Sequence, residues 1–183
     1  MESVHGMVVS VLFAAVILTA VRVTTGEYHL RMIAYGLAVV WLALSSVGVF
    51  TQSETLRVTT GLLFVVFGFF CIGAILRRIV AAKNVDSEVV FYSVSVYLLI
   101  ALAWAVSYDV IYVLWPDSFR VAESGSALTL SHFVYFSLTT ITTLGYGDIA
   151  AAAVPVGIWS TLEAATGVFY IAILVARLVS MYR

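Results

Sequence analysis

Thr142-Thr143-Leu144-Gly145-Tyr146-Gly147-Asp148 is the stretch that decides how this chain is read. Two glycines flank a tyrosine, and without a Cβ both Gly145 and Gly147 take positive φ at little cost. An ordinary strand aims successive carbonyls to opposite sides. Positive φ at alternate positions turns those of Thr143, Leu144, Gly145 and Tyr146 to one side instead. A row of peptide oxygens aimed at a common axis can replace the water shell of a bare cation, and the Thr143 hydroxyl adds an oxygen below the row. Leu144 and Tyr146 are then expected to point away from the row, into protein, and brace a thin segment. Taken alone, Gly-Tyr-Gly reads more simply as a surface turn.

What precedes the stretch reverses that preference. Residues 131–141, from Ser131 and His132 through Tyr135 and Phe136 to Thr139, Thr140 and Ile141, are apolar enough to be buried. They are too few for a bilayer, which needs about 20 helical residues. A short helix followed by irregular backbone at membrane depth is tolerated only where that backbone is buried in protein or faces a watery cavity. The combination resembles the potassium-channel pore family, whose filter is usually written T-V-G-Y-G-D; Leu144 stands where Val is usual. The resemblance covers residues 88–183, about half of the chain. It implies an outer helix at 89–115, a re-entrant pore helix and filter, and an inner helix at 156–181. Four copies would share one axis as a homotetramer, since a lone filter strand cannot surround an ion. K⁺ would be the permeant ion, held by the carbonyls of Thr143, Leu144, Gly145 and Tyr146, with no cofactor.

The same resemblance bears on the residues around the filter. Gly147 and Asp148 would support it, the Asp148 carboxylate tied to the pore helix where the family often offers an indole. Here the corresponding neighbours are Tyr135 and Phe136, and only Tyr135 can donate; a solvated charge at the rim is the other reading of Asp148. Gly167 falls where similar channels bend the inner helix, although a glycine there equally serves close helix packing. Val168, Ile171, Val175 and Val179 share one helical face and are expected to line the conduction path, as an apolar constriction that closes by dewetting.

Composition puts the chain in a membrane. Of its 183 residues 63% are hydrophobic and 10% charged, against about 25% charged in soluble domains. Membrane lipid is therefore an expected partner. A net charge of −1 gives no footing for nucleic acid, which wants a basic patch, and no small-molecule substrate is indicated. The lone Cys71 lies in an apolar run and reads as a packing residue. Five apolar runs are long enough to span: 4–23, 30–50, 58–76, 89–115 and 156–181. The first carries Glu2 and no Lys or Arg in its leader, with no clean small-residue cleavage site, so it reads as a retained helix. The charged linker 81–88 divides a three-helix N-terminal module, 1–83, from a pore domain, 84–183. The expected fold is an all-α integral membrane protein; no strand alternation or internal repeat is evident.

Orientation follows from Lys and Arg beside the spans. Arg22, Arg31, Arg77, Arg78, Lys83, Arg177 and Arg183 share one side and Arg57 and Arg120 the other. This predicts a multi-pass protein of the cell membrane with its N-terminus outside, its C-terminus cytoplasmic and the filter mouth outward. Trp104, Tyr108, Tyr112, Trp115 and Trp159 are expected to anchor at the headgroups. Residues 116–126 read as a solvated turret, and Thr129 or Ser131 as the cap of the short helix.

Glu163 is the oddest residue of the second half. A charge near the bilayer centre costs at least about 3 kcal/mol, so it should be protonated, paired or wet. It is expected to brace the pore helix through Thr139 or Tyr135, the alternative being a solvated position near the outer interface. None of the first three spans carries the repeated basic residues a voltage sensor needs, so steep voltage gating is not expected. No cytoplasmic gating domain follows Arg183 in this sequence. His5, His29 and His132 are too dispersed for a metal site; His132 reads as a solvated helix-end residue or as a pH-tuning group. No catalytic set emerges, and an enzyme is not expected. The favoured function is a passive potassium-selective channel. Its rivals are a weakly selective cation channel and a non-conducting membrane scaffold.

Overall fold

The computed structural model describes residues 53–82, 86–122 and 127–181, with Met32, Tyr35, Gly36, Val39, Val40, Ala43 and Leu44, these seven helical. The expected spans 4–23 and, apart from those seven residues, 30–50 lie outside the described residues, as do Arg22, Arg31, Lys83 and Arg183. The protein is an all-α membrane protein. Among the described residues three helices are long and apolar enough to cross a bilayer: α1 (Glu54–Ala81), α2 (Ser87–Leu114) and α4 (Val154–Met181). Helix α1 runs beyond its apolar run at both ends, through polar residues such as Glu54, Arg57, Arg77 and Arg78, whereas α2 and α4 match theirs to within two residues. Between α2 and α4 lies the short helix α3 (Leu130–Ile141).

Along α1, Phe64, Phe67, Gly68, Cys71, Ile72, Ile75 and Ile79 are buried, the three-and-four spacing of one helical face. That face meets α2 through Val89, Val96, Leu99, Ile100 and Val106. Small residues let the helices close up: a Cβ on Gly68 of α1 would touch the buried Ala103 of α2, and one on Gly61 would press on Val110. Cys71 is buried in this seam as a packing residue. The Asp86 carboxylate accepts from the Val89 amide and caps α2.

Paired residues give the helices their sense. Arg57, at the start of α1, forms an ion pair with Asp109, near the end of α2; its Nε donates to Oδ2 at 3.0 Å. Trp159, early in α4, donates its indole N–H to Ser107 late in α2 at 3.1 Å, and Tyr170 donates to the carbonyl of Ser93 early in α2 at 2.7 Å. So α2 runs against both α1 and α4. At the far end the Arg177 guanidinium of α4 donates to the carbonyls of Ile79, Val80 and Ala82, where α1 stops. These carbonyls have no partner within the helix, and a cation suits their negative end. Arg77, Arg78 and Arg177 thus gather at one end of the bundle, with Arg57 at the other.

One feature departs from the sequence reading. After a 3-10 turn (Pro116–Ser118), β1 (Phe119–Val121) pairs antiparallel with β2 (Ile149–Ala151), Arg120 opposite Ala150. Three-residue strands are too short to show alternation. The ribbon is extended by the Ala122 amide donating to the Asp148 carbonyl at 2.9 Å and the Ala152 amide to Ser118 at 2.9 Å. Thus the backbone just after the 142–148 stretch is pinned to the start of the loop 116–126, of which residues 123–126 lie outside the described set.

Candidate functional site

The site is assembled on α3. Thr129 and His132 form a capping box at its N-terminus, the His132 Nδ1 accepting from the Thr129 amide at 3.1 Å. The expected threonine cap is present, and an imidazole takes the place that Glu or Gln usually fills. Ser131 shares a hydrogen bond with the Thr129 hydroxyl at 3.0 Å instead of capping. The helix is seated by rings: Phe136 lies 5.0 Å from Tyr108, and Phe133 5.0 Å from Phe119. Tyr108 is fully buried and Tyr112 packs on Phe133. These two tyrosines therefore belong to the core around α3 and not to a headgroup belt, while Trp115 and Trp159 remain exposed.

At its C-terminal end α3 passes into the 142–148 stretch with a definite backbone rhythm. Thr143, Gly145 and Gly147 have φ of 60°, 50° and 80°, and the intervening Leu144 and Tyr146 do not. Amides of Leu144 and Gly145 both turn back to the Thr139 carbonyl, at 2.8 and 3.0 Å, and that of Thr143 to Thr140 at 2.9 Å. Among the described residues no donor meets the carbonyls of Thr143, Leu144, Gly145 or Tyr146. The two glycines sit where positive φ was expected. Thr143 was not foreseen there, because a β-branched residue is a genuine outlier at positive φ and its cost is of order 1–3 kcal/mol. Its residue type carries no signal for that conformation; only the alternation with the glycines hints at it.

Leu144 and Tyr146 are not buried within their own chain. They are 55% and 67% exposed, so the expected burial of both side chains in protein is not supplied by the chain itself. Tyr146 has one neighbour of note, the Tyr135 ring stacked on it at 6.3 Å and 3°. Tyr135 lies outside the three spanning helices. Loss of hydration, followed by the nearby Asp148 carboxylate and its negative charge, holds the phenol above the ordinary tyrosine range. Tyr135, and not Phe136, faces the Asp148 carboxylate.

Glu163 is fully buried. Its Oε2 accepts from the Tyr108 hydroxyl at 2.7 Å, and its Oε1 is in hydrogen-bond contact with the Ser137 hydroxyl. The expected partners are therefore replaced: the Thr139 hydroxyl donates to Phe136 within α3, and Tyr135 is stacked on Tyr146. Ser137 is two residues, just over half a turn, from each expected partner and so lies on the opposite face of α3, and Tyr108 is a ring that the sequence reading places at the interface. Glu163 is enclosed on both sides, which overturns the solvated alternative. On α4 the buried positions Val156, Glu163 and Gly167 form the stripe that meets the rest of the chain. A Cβ on Gly167 would collide with the Ile141 carbonyl, which also accepts from Tyr97 at 3.1 Å. Gly167 thus permits the closest approach of α4 to α3, and α4 is helical throughout. Val168, Ile171, Val175 and Val179 are all exposed in the single chain, as are Phe169 and Ile173. Among the described residues no cluster of His, Cys, Asp or Glu is built to hold a metal.

A family model described as ion channel matches residues 90–183, just over half of the chain, from α2 through α4. No curated protein and no solved structure matches.

Proposed function

We propose, from the premise that this chain belongs to the ion channel family, that it is a passive potassium-selective channel of the cell membrane working as a homotetramer. The observation that carries this reading is the run of four unpaired carbonyls from Thr143 to Tyr146, backed by amides turned into α3. Fourfold repetition would stack them as oxygen rings replacing the hydration shell of K⁺, and neighbouring ions would displace one another in file. The exposure of Leu144 and Tyr146 supports assembly, because a neighbouring subunit supplies the wall that one chain lacks. Gly147, Asp148, Tyr135 and Glu163 are assigned to filter support, and Gly167, Ile171, Val175 and Val179 to the inner helix that opens and closes. No cofactor takes part.

The filter mouth is assigned to the outside and the C-terminus to the cytoplasm, since Arg77, Arg78 and Arg177 share the end opposite Arg57. The N-terminal module 1–83 would flank the pore domain 84–183, and without a ladder of basic residues it would not confer steep voltage gating. The test is K⁺ flux into liposomes holding the purified protein. Wild type is expected to conduct, with a reversal potential in mixed K⁺ and Na⁺ near that of K⁺. Gly145→Ala is expected to abolish flux, since φ of 50° is unfavourable for alanine. A reversal potential indifferent to the K⁺ to Na⁺ ratio marks a weakly selective channel, and absence of flux in wild type marks a scaffold.

A further inference from the structure

We infer that Glu163 carries a proton on Oε1 and, as a neutral acid, is the middle link of a hydrogen-bond chain that positions the pore helix behind the filter. The chain runs from the Tyr108 hydroxyl to Glu163, from Glu163 to the Ser137 hydroxyl, and from Ser137 to the Ala101 carbonyl. Counting protons places it. The Ser137 oxygen lies 2.6 Å from the Ala101 carbonyl and also contacts Glu163 Oε1. A hydroxyl has one proton to give, and neither the carbonyl nor an ionised carboxylate has any. With Glu163 ionised, one of the two Ser137 contacts is a meeting of two acceptors with no proton between them. With the proton on Oε1, Glu163 donates to Ser137, Ser137 donates to Ala101, and Oε2 is left as the carbonyl oxygen that accepts from Tyr108 at 2.7 Å. Every member is then satisfied.

The surroundings agree. Glu163, Ser137 and Tyr108 are all fully buried, and among the described residues Glu163 forms no ion pair. Tyr97, the other tyrosine of α2 near this region, is committed to the Ile141 carbonyl. An isolated buried carboxylate is costly, whereas a neutral acid in a fully satisfied network rigidifies its site. The chain ties α3, at its middle, to α2 on one side and α4 on the other, two residues before the Thr139 carbonyl that holds the filter amides. Glu163 is thus a positioning residue, acting on the filter through Ser137.

The consequence for conduction rests on the channel reading above; the position of the proton does not. Infrared difference spectra of the full chain in liposomes, wild type against Glu163→Gln, are expected to show a protonated-carboxyl C=O band that the variant lacks. Tyr108→Phe is expected to move that band to higher frequency, because the carbonyl oxygen loses its donor. Gln can donate to Ser137 and accept from Tyr108, so Glu163→Gln should keep K⁺ over Na⁺ selectivity within about twofold, whereas Glu163→Ala should lower it about tenfold or more, as expected for lost buried hydrogen bonds. Ser137→Ala, a smaller change, is expected to lower selectivity in the same direction should Glu163→Ala fail to fold. Flux without the band overturns the proton placement alone. A band without wild-type flux overturns the conduction role together with the channel reading. Equal impairment by Gln and Ala overturns the neutral link.

Discussion

At single-residue scale the 142–148 stretch depends on how its two ends are held. Asp148 is fixed through its backbone by Ala122 and faces the Tyr135 hydroxyl with its side chain. Tyr135→Phe is expected to speed the decay of current during sustained opening, read in single-channel or liposome recordings. The sign of the pH effect follows from the phenol. Its proton is held more firmly in the folded chain than at the ordinary tyrosine value of 10.0, so the phenol can donate towards Asp148 at neutral pH and loses that ability as pH rises past the folded value. Wild type should therefore come to resemble Tyr135→Phe only in strongly alkaline solution. Gly167 is the second sensitive residue. Gly167→Ala drives a methyl into the Ile141 carbonyl, and such overpacking costs about 1–3 kcal/mol; a lower melting temperature in detergent checks it. Gly145, Gly147 and Gly167 were legible from sequence because glycine is chosen for what it lacks. The partners of Glu163 were not, since the rotation of α3 decides whether Ser137 or Thr139 faces α4 and a twelve-residue apolar helix has no polar face to declare it.

The elements show a different balance of what sequence reveals. Hydropathy located α1, α2 and α4, and the contrast of a short apolar helix with a glycine-rich stretch located α3. The β1 and β2 ribbon escaped notice because its six residues are joined by hydrogen bonds between segments 28 residues apart in register, Val121 to Ile149. The ion pair between α1 and α2 was equally hidden: Arg57 was counted only for orientation, and nothing in the sequence pairs it with Asp109. Removing one partner of a buried pair costs about 3–5 kcal/mol, and here less, because the Arg57 side chain is 44% exposed while that of Asp109 is 9%. Arg57→Ala is therefore expected to destabilise by about 2 kcal/mol, discounted for solvent screening. Asp109→Asn in the same background should recover much of it, since no charge is then stranded. A double-mutant cycle on thermal unfolding in detergent reads both.

On the scale of the whole molecule, the pore half and the preceding helix are joined at both ends, by Arg57 with Asp109 at one and by Arg177 with the last carbonyls of α1 at the other. Arg177→Ala is expected to shift open probability while leaving K⁺ over Na⁺ selectivity unchanged, because Arg177 is remote from the filter along α4. Arg177→Lys should fall between, a single ammonium reaching fewer of the oxygens than a planar guanidinium. Single-channel recording separates the two quantities. The Arg177 contact has a mechanical consequence. Its three acceptors are two carbonyls of the final turn of α1 and that of Ala82 just past it, and sliding α4 along α1 by one turn, about 5.4 Å, would take the guanidinium away from them together. On the channel reading proposed above, the joint would act as a detent, engaged or released, so that a graded push on α1 would reach the inner end of α4 as a step.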